Sequence, residues 1–445
     1  MEKEIKNKDL TNFSNSYNDC KCNKVKEGTI THNGIGASSI NFNEVKKFIN
    51  AYSVTVESGD ITNQKRSGRC WMFAATNVMR LEVMKKLNIK NMELSQAFLL
   101  FYDKLEKSNF FLENIIRTAD EKLGSRIVDF LLADPLGDGG QRTMIVNLVK
   151  KYGVCPKDAY PESFSSSNTQ DMDKYLTLKL REYACTLRKY FEKGEDKDAL
   201  RLHKEEMLEE VYQILSLSLG EPPRSFTDES LDKDNKFGRI EDITPVSFFN
   251  KYVGLKLDDY VSILNCPSPF RPLNNTITIK FLNNVEGGDK VIYLNLPIER
   301  MKELCIEQLK NNEVVWFGSD VGQFSTRDSG IMATEIFNTD KLLGTSFNLT
   351  KGERVDYGES LMTHAMVLTG VNLDSNGKSN RWKVENSWGD QVGYKGYFAM
   401  SDDWFSNFTY QAVINKKYLS QKELELLKGK PIELEPWDPM GSLAF

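Results

Sequence analysis

Two hydrophobic periods divide this chain, and their order limits the folds open to it. Up to about residue 220 the apolar residues recur at helical spacing. Residues 70–87, CWMFAATNVMRLEVMKKL, contain no Pro or Gly, and Trp71, Ala74, Ala75, Val78 and Leu81 share one face, so Cys70 is expected to open a helix. Helices are also read over 93–117 and 119–132, and two more over 170–215, broken near Gly194. From about residue 243 the texture changes. Runs such as NTITIKFL, KVIYLNLP, VVWFGSD, HAMVLTGVNL, RWKVENSWG and GYFAMSDDWF are short, β-prone and bounded by Gly, Asn or Asp, with one helix at 298–311 between them. Helices first and strands later is an α+β order, not the alternation of a doubly wound parallel sheet.

The composition fits a folded chain. Of 445 residues, 40 % are hydrophobic and 27 % charged, enough apolar material for a large core. The net charge of −5 argues against a globally basic nucleic-acid binder. No run of about 18 apolar residues suggests a membrane span. The first residues, MEKEIKNKDLTNFSNSYN, lack the apolar segment of a secretory signal. Seven scattered cysteines, an odd number, read as reduced thiols, and the expected setting is cytoplasmic. Residues 1–50 are polar and read as an arm with little core of its own.

Only three histidines are present. His32 lies in the polar arm and His203 on a charged helix face, where each reads as solvated surface. His364, in ESLMTHAMVLTG, enters an apolar strand. Cys70 follows NQKRSGR; at a helix start the dipole and free backbone N–H groups favour a thiolate, which is the nucleophilic form. A histidine in reach takes the proton. Gln64, six residues upstream, can offer an amide N–H beside the Cys70 N–H to a developing oxyanion. Asn386, in VENSWGD and 22 residues after His364, can accept from the imidazole and fix its tautomer. Trp388 can cover that bond from water. Taken singly, Cys70 is equally a buried inert thiol, His364 a core histidine and NSWG a turn.

Together the three segments resemble the papain-like cysteine peptidases, in the order Cys, His, Asn. His364 follows Cys70 by 294 residues, against roughly 130–150 in minimal members. That surplus, with ELSQAFLLFYDKLEKSNFFLEN, DGGQRTM, WFGSDVG, GESLMTHAM, FAMSDDWF and the tail EPWDPMGSLAF, resembles the bleomycin hydrolase/aminopeptidase C branch from about residue 50 onward. The resemblance implies a papain-like fold with a helical half at 51–165, a mainly helical insertion at 166–295, a β-rich half at 296–434 and a tail at 435–445 entering its own cleft. It implies Cys70 as nucleophile, His364 as base and acid, Asn386 as orienter and Gln64 as oxyanion donor. Gly139 and Gly140 would line the cleft. Ala444 or Phe445 would present the terminal carboxylate to a substrate's free α-ammonium, with trimming of Phe445 left open. No cofactor or metal is implied. Implied partners are peptides with a free N-terminus and further copies of the chain, in a homohexamer.

One departure is Lys65-Arg66 beside Gln64, two charges that either favour acidic groups near the site or are simply solvated. Rival readings are an endopeptidase with a mobile tail, a nucleic-acid-binding oligomer using small basic clusters such as Lys85-Lys86 and Arg188-Lys189, a dead scaffold, and a zinc site at Cys20-Lys21-Cys22. Zinc needs four ligands, and only His32 is near in sequence.

Overall fold

The computed structural model describes residues 4–442, so Leu443, Ala444 and Phe445, which include both candidate terminal residues, lie outside the described residues. Cys70 does open a helix, Cys70–Leu87, which runs through the middle of the core with Trp71, Met72, Phe73 and Val83 buried. It ends at Asn88, whose left-handed backbone (φ 53°) turns the chain as Lys85 and Lys86 meet the negative end of the dipole. Ser95 caps the next helix, Gln96–Arg117, by accepting from the Phe98 N–H. The helix expected over 119–132 starts later, at Arg126–Ala133. The two charged helices are Gln170–Glu192 and Lys197–Leu219, and they break at Gly194 (φ 96°).

Among the described residues, fourteen strands follow in chain order as β1 Val54–Thr55, β2 Phe226–Leu231, β3 Phe237–Ile243, β4 Tyr260–Leu264, β5 Asn275–Ile279, β6 Ile292–Asn295, β7 Val315–Ser319, β8 Ser325–Thr326, β9 Ile331–Met332, β10 His364–Leu373, β11 Ser379–Glu385, β12 Tyr397–Ser401, β13 Thr409–Asn415 and β14 Ile432–Leu434. Twelve form one sheet in the order β14-β5-β6-β4-β13-β7-β10-β11-β12-β9-β8, with β1 alongside β10; β2 and β3 pair as a separate hairpin. The first eight residues of β10 are all buried, as a strand covered on both faces requires. The antiparallel register sets His364 opposite Ser319 of β7 and Val367 opposite Glu385 of β11, and so brings the His and Asn segments to one edge of the core.

Residues 166–295 carry the two long helices to Leu219, then the hairpin, short helical turns over 245–259 and three strands of the main sheet (β4, β5, β6), of which β4 pairs with β13 and β5 with β14. One expectation changes. GYFAMSDDWF is strand only to Ser401. The Ser401 hydroxyl then accepts from the Trp404 N–H and starts a helix, Asp402–Phe408. The arm is helical at Asn7–Asp19 and Cys22–Ser39, yet of residues 4–50 only Ser39 and Glu44 are buried. It docks through Val45 and Phe48 on a small second cluster of Ile331, Ala333 and Ile336.

Candidate active site

The Cys70 helix begins without a side-chain cap. Arg69 holds the capping position, but its fully buried guanidinium turns away to a two-toothed pair with Glu162 (3.0 and 2.9 Å) and to the Ser67 hydroxyl (2.9 Å). The first backbone N–H groups of the helix are therefore left for the sulfur and for whatever sits in front of it. Cys70 is 1 % exposed, and burial pushes its thiol up to about 11, against the opposing pull of the Ala365, Trp71 and Cys70 backbone N–H groups.

His364 opens β10 and is also buried. Its Nε2 lies 2.9 Å from Asn386 Oδ1, and the same oxygen accepts from the Ser387 N–H at 2.8 Å, which fixes the amide's orientation. An accepting Oδ1 puts the imidazole proton on Nε2 and leaves Nδ1 as a base. Burial brings the imidazole down to about 4, with Asn386 resisting and Arg327 adding to the fall. Cys70 and His364 are thus each neutral when charged alone would be costly. Passing one proton from sulfur to nitrogen creates two opposite charges at once, and their attraction offsets the burial of each. The Trp388 ring covers the pair, its centroid 4.8 Å from the His364 ring at 30°.

Gln64 is tied to the same place from both ends of its amide. Its Oε1 accepts from the Ser387 hydroxyl (2.7 Å) and its Nε2 donates to the Ser67 carbonyl (2.6 Å), which leaves one N–H of the amide for an oxyanion. Under this layer, Glu385 receives Asn77 (2.8 Å) and Arg80 (3.1 Å), both from the Cys70 helix. This buried cluster rivets that helix to the strand that precedes Asn386.

The glycine loop forms the opposite wall. A side chain at Gly140 would put its Cβ 2.5 Å from the Trp71 ring, so only glycine lets loop and indole close. The Trp71 indole N–H donates to the Asp138 carbonyl (2.8 Å), and the Asp138 carboxylate accepts from the Gly68 N–H (2.7 Å) and the Thr169 hydroxyl (2.5 Å). Lys104, fully buried, bridges Asp138 and Asp173 at 2.8 Å each. Burial works against the Asp138 charge, but Lys104 holds the carboxyl well below its usual range; Asp173 is pushed up to about 7 by burial. Lys107 holds the carbonyls of Gly137 (2.7 Å) and Gly139 (2.6 Å). None of Lys104, Lys107, Asp138 or Arg69 was readable as a site residue from sequence. Lys104 and Lys107 look like a solvated helix face, and the only hint was Asp138 standing before two glycines.

Cys70, Trp71, Gly140, Gln141, Trp316, Gly318, Met362, His364, Ala365 and Ser442 line a single small cavity of about 10 Å³, room for about one water. Ser442 comes from the tail. The tail is led there by β14, by buried Met440, and by Asp438 paired with buried Arg271 (2.7 Å). Gln141 Nε2 donates to the Ser442 carbonyl at 3.1 Å. Of the other sequence candidates, Gly139 is buried in the loop, and Lys65 and Arg66 are exposed. No group of three or more metal-ligating side chains gathers among the described residues, Cys20 and Cys22 included.

Comparison with known proteins places the chain in a family. The model of the Peptidase C1-like family matches residues 4–441. This chain belongs to that family. Aminopeptidase C of Streptococcus thermophilus is 49 % identical over 419 residues, 94 % of each chain. Aminopeptidase C of Listeria monocytogenes serovar 1/2a is 45 % identical over the full length of both. Bleomycin hydrolase of Gallus gallus is 43 % identical over 401 residues, 88 % of each. The crystal structure of PepW from Lactobacillus rhamnosis HN001 superposes over all of both chains with a TM-score of 0.98 at 48 % identity. The α+β order read from the periods and the papain-like fold that the resemblance implies are both those of the family.

Proposed function

We propose that this chain is a cysteine-type aminopeptidase that releases N-terminal residues from peptides, with its own tail limiting the cleft. Cys70 Sγ gives its proton to His364 and attacks the carbonyl carbon of the substrate's first residue. The oxyanion is met by the Cys70 backbone N–H and the remaining Gln64 amide N–H. The C–N bond breaks as His364 returns the proton to the departing amine. Water, deprotonated by His364, then cleaves the thioester and frees the amino acid. Asn386 holds the imidazole and Trp388 keeps solvent off that bond. The same chemistry extends to amides of the kind bleomycin hydrolase cleaves.

The observation that most supports an N-terminal rather than internal cut is the meeting of Ser442 with Gln141 in the cavity that Cys70 and His364 line. Three residues remain beyond Ser442, a reach of about 10 Å when extended. A tethered segment of that kind fills subsites at effective concentrations near the mM range. Its carboxylate, on Ala444 or Phe445, then pairs with the substrate's α-ammonium. The test compares peptides with free and acetylated N-termini, using the full chain and a chain ending at Met440. Cleavage of free N-termini alone by the full chain, with internal cleavage gained on truncation, is expected. Equal cleavage of blocked peptides by both would leave a cysteine peptidase without a selecting tail.

The reading includes a homohexamer in the cytoplasm. Exposed apolar residues on the two charged helices, Tyr175, Leu178, Leu202 and Leu217, support an assembly, and sedimentation equilibrium at assay concentration checks it.

A further inference from the structure

Three cations near the active site have no carboxylate partner. Lys65, Arg66 and Arg327 are exposed, and none of them is in an ion pair among the described residues. Arg327 lies with its guanidinium carbon 4.9 Å from the centroid of the Trp388 ring, the ring that also stacks on His364. It is close enough for its charge to disfavour the imidazolium. Lys65 follows Gln64 directly and is held in the left-handed region (φ 55°), a conformation that costs a non-glycine residue about 1 kcal/mol or more. That strain is maintained by a tight junction. Asn63 bridges to Trp388, the Gln64 N–H donates to the Ser387 carbonyl (2.8 Å), the Gly389 N–H donates to the Thr62 carbonyl (3.0 Å), and Asn63 Oδ1 accepts from the Lys65 N–H (2.9 Å).

The direction of the cleft follows from the two walls. Ser442 of the tail sits against Gly140 and Gln141, so the substrate's N-terminal residue lies on that side of Cys70. The departing part of the peptide must then run the other way, past Gln64 and Trp388. Lys65, next to Gln64 in the chain, and Arg327, braced on the Trp388 ring, flank that direction. Asp328 and Asp390 stand in the neighbouring loop positions, exposed and unpaired with any of the three cations, so the rim keeps a positive excess.

We infer that Lys65 and Arg327 form an anion-binding subsite for the leaving peptide, so that the enzyme favours substrates carrying a carboxylate one or two residues past the cut: a dipeptide's own C-terminal carboxylate, or an acidic side chain. This inference rests on the aminopeptidase reading above. It assigns to the substrate the partner these cations lack, and a planar guanidinium braced on an indole is a pre-organised carboxylate receptor.

The test is kcat/KM for Ala-Ala, its C-terminal amide, Ala-Glu amide and Ala-Lys amide, at low ionic strength and at about 0.5 M salt, where the screening length falls to about 4 Å and exposed charge pairs weaken. At low salt Ala-Ala and Ala-Glu amide are expected to exceed Ala-Ala amide by about three- to tenfold, mainly through KM, as a partly exposed ion pair permits. Ala-Lys amide is expected to be the poorest. Salt and the variant Arg327→Gln compress the series, Arg327→Lys restores part of it, and Lys65→Gln with Arg327→Gln abolishes the charge preference, read as the ratio of each substrate to Ala-Ala amide within the same variant. Cleavage of all four with no charge preference, or a preference that survives the double variant, overturns this inference and leaves the aminopeptidase standing. Failure to cleave any of them overturns both.

Discussion

The contact between Gly140 and Trp71 joins the cleft wall to the proposed nucleophile, and Gly140→Ala measures how tightly. Gly140 does not have positive φ, so alanine brings no backbone strain. The added Cβ would lie 2.5, 2.6 and 2.7 Å from three atoms of the indole. Ordinary contact begins near 3.4 Å, so loop and ring must part by roughly 0.9 Å. The indole has little freedom to yield. Trp71 is 1 % exposed, its indole N–H is bonded to the Asp138 carbonyl (2.8 Å), and its backbone carbonyl accepts from the Trp316 indole N–H (3.2 Å). Overpacking of this kind costs about 1–3 kcal/mol of stability. Because Trp71 is the residue after Cys70, a shift of that size also moves the sulfur, and a misplacement of about 1 Å lowers turnover by about 100-fold. The expected result is kcat/KM on an aminoacyl amide reduced by one to two orders of magnitude, with a melting temperature only a few degrees lower. Gly28→Ala, in the arm helix with no atom within 4 Å of the new Cβ, is the control and should change neither. Wild-type activity in Gly140→Ala would show that the loop and the Cys70 helix move independently, and the reasoning would fail.

Two further outcomes follow from the buried charges. Lys104→Met strands Asp138 and Asp173 without their cation. Loss of about 3–5 kcal/mol is expected, seen as a melting point lower by roughly 3–5 °C for a chain of this length, with part recovered by adding Asp173→Asn; an unchanged melting point would contradict the clamp. Activity should fall on its acid side near pH 4, where His364 gains a proton and can no longer take one from Cys70. The folded imidazole titrates below its unfolded value of 6.5, so between about pH 4 and 6.5 the unfolded chain binds more protons. Stability therefore rises with pH across that window, and His364→Gln should flatten that part of a denaturant-midpoint profile.

Local order alone determined much of this protein. The unbroken helical pattern after Cys70 placed the nucleophile candidate at a helix start. The apolar runs at His364 and before Asn386 read as strands because their period and boundaries are intrinsic to the sequence. Where sequence failed, long-range pairing decided. NTITIKFL and KVIYLNLP read as strands, but which strands flank that region does not follow from their own residues: β4 pairs with β13 and β5 with β14, each more than 100 residues away. DDWF read as strand because the Ser401 cap that turns it into a helix depends on one hydroxyl's direction. The site divides in the same way. Side-chain chemistry, taken over the three segments together, marked Cys70, His364, Asn386 and Gln64 as candidates, since few residue types suit such work. The residues that hold them in place were invisible: Lys104 and Arg80 look like surface cations in a one-dimensional pattern, and only burial beside Asp138 and Glu385 gives those charges a structural use. A charge in water costs nothing to leave unpaired, whereas a charge in the core must find its counter-ion, and which of the two applies is a property of the tertiary structure alone.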